Sequence, residues 1–292
     1  MKTYLDCLPC LLNQALRAAR AATDDETVQR RVVNAVAGMI PELPLDLKPP
    51  EIAQQAYRRI GEITGDNDPF HQAKVEANRA VLAIYPRLQK LVQDSVDRLF
   101  IACNLAIAGN SIDLGPKFEY GSIESIIDTA ACLLPLAINE YDQFWSSLST
   151  CQRILYLGDN AGEIVFDRLF IEEINRVRKL DICFVVRDSP VINDVTMDDA
   201  LAVGMDGIAR VVSSGSDAPA TILSQCSAEL QQLYHSADII ISKGQGNYES
   251  LEGETGNIFF LLRAKCPLVA KSLGVSVGDC VLKNNNCSKR IA

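Results

Sequence analysis

The chain has 292 residues, of which 48% are apolar and 22% are charged, as expected for a globular protein of one or two domains with a large core. This composition excludes a disordered chain, a collagen-like fibre and a small disulfide-linked module. The net charge of −9 argues against nucleic acid and anionic membranes as partners, since both require a basic face. No apolar run reaches membrane-spanning length and the first residues do not resemble a signal peptide, so we expect a cytoplasmic protein.

The cysteines and histidines limit the kinds of site that the chain can form. Its 10 cysteines mostly lie within apolar segments, which favours reduced, buried thiols over a disulfide framework. The 2 histidines, His71 and His235, exclude a site built from several histidines. The pair Cys7 and Cys10 supplies two ligands where zinc needs four, and no strand precedes it as in a redox dithiol. A buried or structural role is favoured for the pair, with metal or redox use left open, and the lone Trp145 is expected in the core.

Residues 1–150 are predicted to form an all-helical domain, because apolar side chains recur there at helical spacing. A polar loop, Asp66–His71, and a second turn with Asn110 and Asp113 belong to this region; each is either an accessory part of a site or a helix cap. The predicted helices are the apolar stripes Leu8–Ala19 and Ile52–Ile60 and the segments Ala73–Ala83, Leu88–Ala108 and Ile123–Ala137.

Residues 151–283 alternate between β-rich and helical patterns, which is typical of an α/β domain with a Rossmann-like, mostly parallel sheet and helices on both faces. A polar tail, 284–292, follows. The predicted strands are Arg153–Leu157, Asp181–Val186, Ile208–Val212, Asp238–Ile241 and Pro267–Ala270. The predicted helices are Ile164–Val177, Thr196–Val203, Pro219–Leu233 and Asn257–Ala264.

Polar residues follow all five predicted strands, which a purely structural sheet does not require. Ligands of open α/β sheets bind at the carboxyl ends of the strands, near a reversal of strand order. We therefore predict the functional site at this edge. The segments concerned are Gly158–Glu163, Arg187–Pro190, Ser213–Ser216, Ser242–Asn247 and Lys271–Ser272.

The first of these segments lacks the G-x-G-x-x-G pattern of a dinucleotide loop. Asp159 and Asn160 instead offer hard oxygen ligands suited to Mg²⁺ or Mn²⁺. As an alternative, one of them caps the next helix, which leaves the other residue and Glu163 without a role. Asp194, after the next strand, is either a third oxygen ligand or a helix cap. If it is a ligand, Asp194→Asn is expected to weaken metal binding without lowering the stability of the metal-free protein.

A further polar stretch follows the fourth predicted strand. Lys243 and the glycine-rich backbone from Gly244 to Asn247 are suited to a phosphate group. Such turns are common after strands, so this feature gains weight only from its neighbours at the same edge.

Several motifs together resemble the damage-control phosphatase family, formerly a domain of unknown function. The similarity extends in order over nearly the whole chain, and the Cys7–Cys10 start is similar to the stand-alone prokaryotic branch, subfamily I. The motifs are Cys7–Cys10, Gly65–Phe70 with Lys74 and Asn78, Ala108–Asp113, Gly158–Glu163, Pro190–Asp194 and Lys243–Glu249.

This resemblance implies a metal-dependent phosphatase, a phosphomonoester hydrolase that acts on small phosphorylated metabolites such as sugar phosphates or nucleotides, damaged ones among them. The metal ligands of the family fall on Asp159, Asn160 and Asp194. The implied cofactor is a divalent cation: Mn²⁺, Ni²⁺, Co²⁺ or Mg²⁺. A carboxyl methyltransferase, or a non-catalytic metal- or metabolite-binding module on the same fold, is the alternative.

The expected mechanism is in-line attack of a metal-activated water on phosphorus. Ala161 stands where an aspartyl phosphatase of the D-x-D type has its second aspartate, which argues against a covalent aspartyl intermediate. Either Asp194 or Glu163 takes the proton from the water. The residues expected to hold the phosphoryl group, with backbone amides of their turns, are Lys243, Gly244, Asn247 and Gly162. The sequence predicts no nucleic-acid or membrane partner and leaves the oligomeric state open.

Overall fold

A computed structural model describes residues 1–110 and 135–286. Up to residue 110 these residues are helical, with one short 3₁₀ turn at Ile40–Glu42 between α2 and α3. The helices are α1 (Cys7–Ala22), α2 (Glu26–Met39), α3 (Pro49–Thr64), α4 (His71–Ala83), α5 (Tyr85–Gln93) and α6 (Arg98–Gly109).

The remaining described residues alternate between strands and helices. Short 3₁₀ turns at Met205–Gly207 and Leu223–Gln225 lie in the connections on either side of β4. The elements are β1 (Leu136–Asn139), α7 (Tyr141–Thr150), β2 (Arg153–Leu157), α8 (Glu163–Val177), β3 (Asp181–Val186), α9 (Met197–Ala202), β4 (Arg210–Ser213), α10 (Ala228–Ser236), β5 (Ile239–Lys243), α11 (Gly244–Leu251), β6 (Ile258–Arg263), α12 (Pro267–Leu273) and β7 (Cys280–Asn284).

The strands form one seven-stranded sheet in the order β1-β7-β6-β5-β2-β3-β4. All neighbouring pairs are parallel except β6 and β7. The chain runs outward from β2 through β3 to β4 on one side, whereas β5 and β6 lie on the other side. The order therefore reverses between β2 and β5, which is where an open α/β sheet leaves a crevice for ligands. The predicted α/β fold with a mostly parallel sheet is confirmed.

The sheet is buried on both faces, and its side chains alternate between two hydrophobic cores. In β2, Ile154 and Tyr156 face the core formed with α4–α8, whereas Leu155 and Leu157 face the core formed with α10–α12. A third core joins α1, α2 and α3 and is separate from both. The division of the chain into 1–150, 151–283 and 284–292 stays a prediction. The helices α4–α6 nevertheless share a core with the sheet, so packing does not separate them from it.

Two neighbouring segments were predicted with their structures exchanged. The predicted helix Asn257–Ala264 is strand β6, and the predicted strand Pro267–Ala270 is part of helix α12. β6 is apolar at successive positions because it lies within the sheet and is covered on both faces, so its sequence has no period that separates strand from helix. Pro267 is the first residue of α12, a position that suits the fixed φ of proline.

Other predicted boundaries also change. The predicted helix Leu88–Ala108 is divided between α5 and α6, with Asp97 capping α6 through Phe100 N–H at 2.9 Å. Of the predicted helix Ile123–Ala137, residues 123–134 lie outside the described residues, and its last two belong to β1. The predicted helix Pro219–Leu233 is reduced to a 3₁₀ turn and α10.

Three further details differ from expectation. The strand β1 lies within the range predicted to be all-helical. The predicted polar tail begins too early, because Asn284 ends β7 and is 3% exposed. Trp145, expected in the core, lies on the outer surface of α7 with 48% of its side chain exposed. Among the described residues, no helix has the length and apolarity needed to cross a membrane.

Candidate metal and phosphate site

Asp159, Asn160 and Asp194 meet at the carboxyl edge of the sheet, beside the reversal of strand order. Asp159 and Asn160 directly follow β2, and the backbone of Asn160 forms an antiparallel bridge with Asp194. All three line one cavity of about 330 Å³. The side chains are 9%, 7% and 5% exposed, respectively. The structure thus brings the three predicted ligands together.

The helix-cap alternatives do not describe these residues. The residue before α8 is Gly162, and no side chain caps that helix. α9 is capped by Thr196, which forms a reciprocal capping box with Asp199. Asp194 lies two residues before that cap. None of the three predicted ligands therefore serves as the cap of a helix.

The Asp159 carboxylate is held by neutral amides. Asn110 Nδ2 donates to its Oδ2 at 3.0 Å, and Asn160 Nδ2 donates to the same oxygen at 2.5 Å. Burial, reinforced by the negative charges of Glu163 and Asp194, raises the pKa of Asp159 from 3.8 to about 8. The protein concentrates carboxylates here that its own side chains compensate incompletely.

Asp194 has a different environment from Asp159. Arg187, which follows β3 and is 1% exposed, donates from Nε to Oδ2 of Asp194 at 2.7 Å. Burial raises the pKa of Asp194, while the Arg187 guanidinium opposes that rise. The same guanidinium donates to the carbonyl oxygen of Gly158 at 3.2 Å. Arg187 therefore ties the residue after β3 to the first residue after β2.

Glu163 and Lys243 form a buried ion cluster beneath the cavity. Lys243 Nζ donates to Glu163 Oε1 at 2.5 Å, to Asp167 Oδ1 at 2.7 Å and to the carbonyl oxygen of Ala106 at 2.8 Å. Burial lowers the pKa of Lys243, but Asp167 and Glu163 outweigh this effect and leave it raised. Lys243 and Glu163 are both 0% exposed. Neither side chain lines the cavity, so neither meets a ligand in it.

The other residues predicted to hold phosphate are also engaged by the protein. The N–H of Gly162 donates to Asn78 Oδ1 at 2.6 Å. Asn247 donates to the carbonyl oxygens of Gly158 and Lys243 at 3.2 and 2.8 Å. Gly244 lies against the Asp159 carboxylate. These residues build the floor of the cavity.

The helical region contributes to the same network. Asn78 on α4 also donates to Asp199 Oδ1 at 3.0 Å. In the polar loop before α4, Asp68 pairs with the buried Lys74 at 3.1 Å, and no side chain of the loop caps that helix. Asp113 lies outside the described residues. The loop thus anchors α4 against the segment that carries Asp194.

The cavity walls include residues from α1, α11 and the segment after β6. Cys7 and Cys10 line it, with Cys7 partly buried and Cys10 exposed, so the pair is not fully buried as expected. Burial raises the pKa of Cys7. Lys265, Gln245 and Glu249 line it as well.

Sequence reasoning missed Lys265 for a specific reason. Lys265 follows the carboxyl end of β6, which lies parallel to β5 and so ends at the same edge of the sheet. Because β6 was predicted as a helix, its strand end was not considered. Lys265 is exposed, and its positive charge lowers the pKa of Asp159, which indicates that the ammonium group faces the carboxylates.

The donor set is consistent with a hard divalent cation. Two carboxylates and a carboxamide are oxygen ligands of the kind that Mg²⁺ and Mn²⁺ prefer. The raised pKa of Asp159 shows negative charge in excess of local compensation, which a cation would neutralise. Within residues 1–110 and 135–286, no group of three or more His, Cys, Asp or Glu residues forms a metal site without the help of other residue types. Asn160 is therefore essential to the set.

Comparison with known proteins identifies relatives along nearly the whole chain. Residues 3–281 match the damage-control phosphatase ARMT1-like domain. An uncharacterized protein of Methanocaldococcus jannaschii is 36% identical, covering 97% of this chain and 95% of that protein. A damage-control phosphatase of Archaeoglobus fulgidus is 34% identical over 97% of this chain and 99% of its own length.

The fold has a solved counterpart. The crystal structure of a DUF89 family protein from Pyrococcus horikoshii superimposes with a TM-score of 0.90 at 30% identity, covering 98% of this chain and 99% of that one. A relative from the same organism, 32% identical over 98% of this chain and 99% of its own length, is named a damage-control phosphatase.

Proposed function

Because the chain belongs to the damage-control phosphatase ARMT1-like domain family, we propose that it is a phosphatase of metabolite repair. We assign it the hydrolysis of phosphomonoesters of small metabolites, such as sugar phosphates or nucleotides, with a divalent cation as cofactor. The observation that carries the proposal is the convergence of Asp159, Asn160 and Asp194 on one cavity at the strand-order reversal. The names of the relatives from Archaeoglobus and Pyrococcus support the reaction class.

The three converging residues would hold the cation: Mn²⁺, Ni²⁺, Co²⁺ or Mg²⁺. When bound, it would supply Lewis acidity to a phosphoryl oxygen and to the attacking water. Neutral amides already orient Asp159, and Arg187 orients Asp194. The protein thus fixes both carboxylates before any ligand binds, which reduces the reorganisation needed during reaction.

The buried cluster gives Glu163 and Lys243 positioning roles. Glu163 Oε2 accepts from Asn110 and Asn160 at 2.9 and 3.2 Å, while its other oxygen is bound by Lys243. Glu163 therefore orients the amides that hold Asp159. Asp194, which lines the cavity, is left as the residue of the predicted pair that can accept a proton from the attacking water.

Lys265 takes the phosphate-binding role first predicted for Lys243. Its ammonium group is exposed at the cavity that contains Asp159, so it can pair with a phosphoryl oxygen without leaving a buried carboxylate unpaired. Moving Lys243 toward a ligand would strip Glu163 and Asp167 of their counter-charge, at a cost of several kcal/mol.

Hydrolysis of p-nitrophenyl phosphate with Mn²⁺, before and after removal of metal with EDTA, tests the proposal. We expect turnover only with metal, and an increase in melting temperature on adding Mn²⁺ that Asp159→Ala removes. Full turnover in the EDTA-treated protein would refute metal dependence. Stabilisation by S-adenosylmethionine without any hydrolysis would favour the methyltransferase alternative.

A further inference from the structure

A second cavity, of about 470 Å³, adjoins the one that contains the proposed metal ligands. The two cavities share lining residues, namely Gln14, Ile192, Asn193 and Lys265. A molecule held at Asp194 can therefore extend past Asn193 into the second space. We call this second space the basic compartment; its characteristic residues are Arg17, Arg263, Lys265, Tyr57 and Phe70.

The charge of the basic compartment is opposite to that of the protein. Its described lining residues include Arg17, Arg263 and Lys265 and no carboxylate, although the whole chain carries a net charge of −9. The first cavity differs, because Asp6, Asp159, Asp194 and Glu249 all line it. Cations grouped in a cleft of an acidic protein raise the local concentration of anions.

The Arg263 side chain is held in place for such a role. It projects from the end of β6 and is exposed, and its Nε donates to the carbonyl oxygen of Gly278 at 2.8 Å. This bond limits the orientations of the guanidinium plane, whose terminal nitrogens match the oxygens of a phosphate or carboxylate. The aromatic rings of Tyr57 and Phe70 offer an apolar wall for the carbon skeleton between two anionic groups.

We infer that the basic compartment binds a second anionic group of the substrate, a phosphate or a carboxylate, while the phosphoryl group to be cleaved lies at Asp159 and Asp194. This inference rests on the proposed phosphatase function and narrows its substrates to bisphosphates and phosphorylated acids. The volume of the compartment is in the range of ordinary ligand pockets. Binding energy from the second anion then helps to orient the reacting phosphoryl group.

Matched substrate pairs test the inference. Glucose 1-phosphate is compared with glucose 1,6-bisphosphate, and glycerol 3-phosphate with 3-phosphoglycerate, each with Mn²⁺. We expect kcat/KM to be at least tenfold higher for the doubly anionic member of each pair. Arg263→Gln should reduce this preference at least tenfold, mainly through KM. Equal rates within each pair, or an equal loss on both members in the variant, would overturn the inference.

A binding measurement separates this inference from the proposed reaction. Calorimetric titration of the EDTA-treated protein with 3-phosphoglycerate should show binding that Arg263→Gln weakens at least tenfold. Lys179→Gln removes an exposed positive charge between α8 and β3, at the opposite edge of the sheet, and should bind as the parent does. Binding that is unaffected by Arg263→Gln, or no binding at all, would refute the compartment. Absent hydrolysis of p-nitrophenyl phosphate would instead refute the phosphatase.

Discussion

Gly244 leaves the space that the carboxylate of Asp159 occupies. A side-chain carbon at Gly244 would lie 1.9 Å from Oδ2 and 2.2 Å from Cγ of Asp159. Gly244 also has a φ of +79°, which glycine adopts far more readily than other residues. The end of β5 is therefore shaped around the carboxylate that follows β2.

Gly244→Ala is expected to displace Asp159 and to reduce turnover on the order of a hundredfold. Turnover across a Mn²⁺ titration and the melting temperature check this. Gly253→Ala is the matched control, because an added methyl group there meets nothing within 4 Å. Parent-like turnover in Gly244→Ala would mean that the position of Asp159 does not matter for the reaction.

Neutralising the two proposed carboxylate ligands should have opposite effects on stability. Asp194→Asn leaves the buried Arg187 without its counter-charge, which is expected to cost about 3 kcal/mol in the metal-free protein. Asp159→Asn removes a carboxylate whose charged form is disfavoured by burial and by its acidic neighbours, so the metal-free variant should melt no earlier than the parent.

Both variants should lose turnover on the order of a hundredfold or more, since each removes an anionic ligand. Metal-free melting curves and activity at limiting Mn²⁺ measure the two effects. Equal metal-free stabilities of the two variants would contradict the assigned ion pair. Sequence reasoning expected no loss of stability at position 194, because the partner Arg187 is identified only by the folded structure.

A pair of lysine variants determines which lysine binds the phosphoryl group. Lys243→Met leaves Glu163 and Asp167 buried without a counter-charge and should destabilise the fold by about 3–5 kcal/mol. Lys265→Met removes an exposed charge, so we expect an unchanged melting temperature and a KM for p-nitrophenyl phosphate raised about tenfold. A stable Lys243→Met variant with a raised KM would restore the role first predicted for Lys243.

Glu249 should make stability depend on pH. Burial raises its pKa from 4.5 to about 7, opposed by the Gln245 amide and the N-terminal amino group. The folded protein thus binds a proton more tightly than the unfolded chain, so its stability falls as pH rises from about 5 to 8.

Glu249→Gln should remove this decrease and raise stability at pH 8 on the order of 2 kcal/mol, with little change at pH 4. Urea unfolding at several pH values measures it. Glu229→Gln, on the exposed side of α10, should keep the pH dependence of the parent. A parent-like slope in Glu249→Gln would show that Glu249 is charged in the folded protein.

The sequence determined the fold class and the proposed ligands, because both are written in local patterns. β2 and β3 were predicted with their observed bounds, since period-two burial and polar residues after each strand are visible along the chain. Asp159, Asn160 and Asp194 were located by the same reasoning. β6 was not, since a strand covered on both faces has no alternation to detect.

Only the tertiary structure decided which charged groups face the cavity. Lys243 and Lys265 are both lysines that follow strands of the same sheet, yet one is enclosed by Glu163 and Asp167 and the other is exposed. The pairing of Arg187 with Asp194 depends likewise on neighbouring strand ends. Burial and charge pairing arise from contacts between distant segments, and a chain read position by position carries no record of which segments meet.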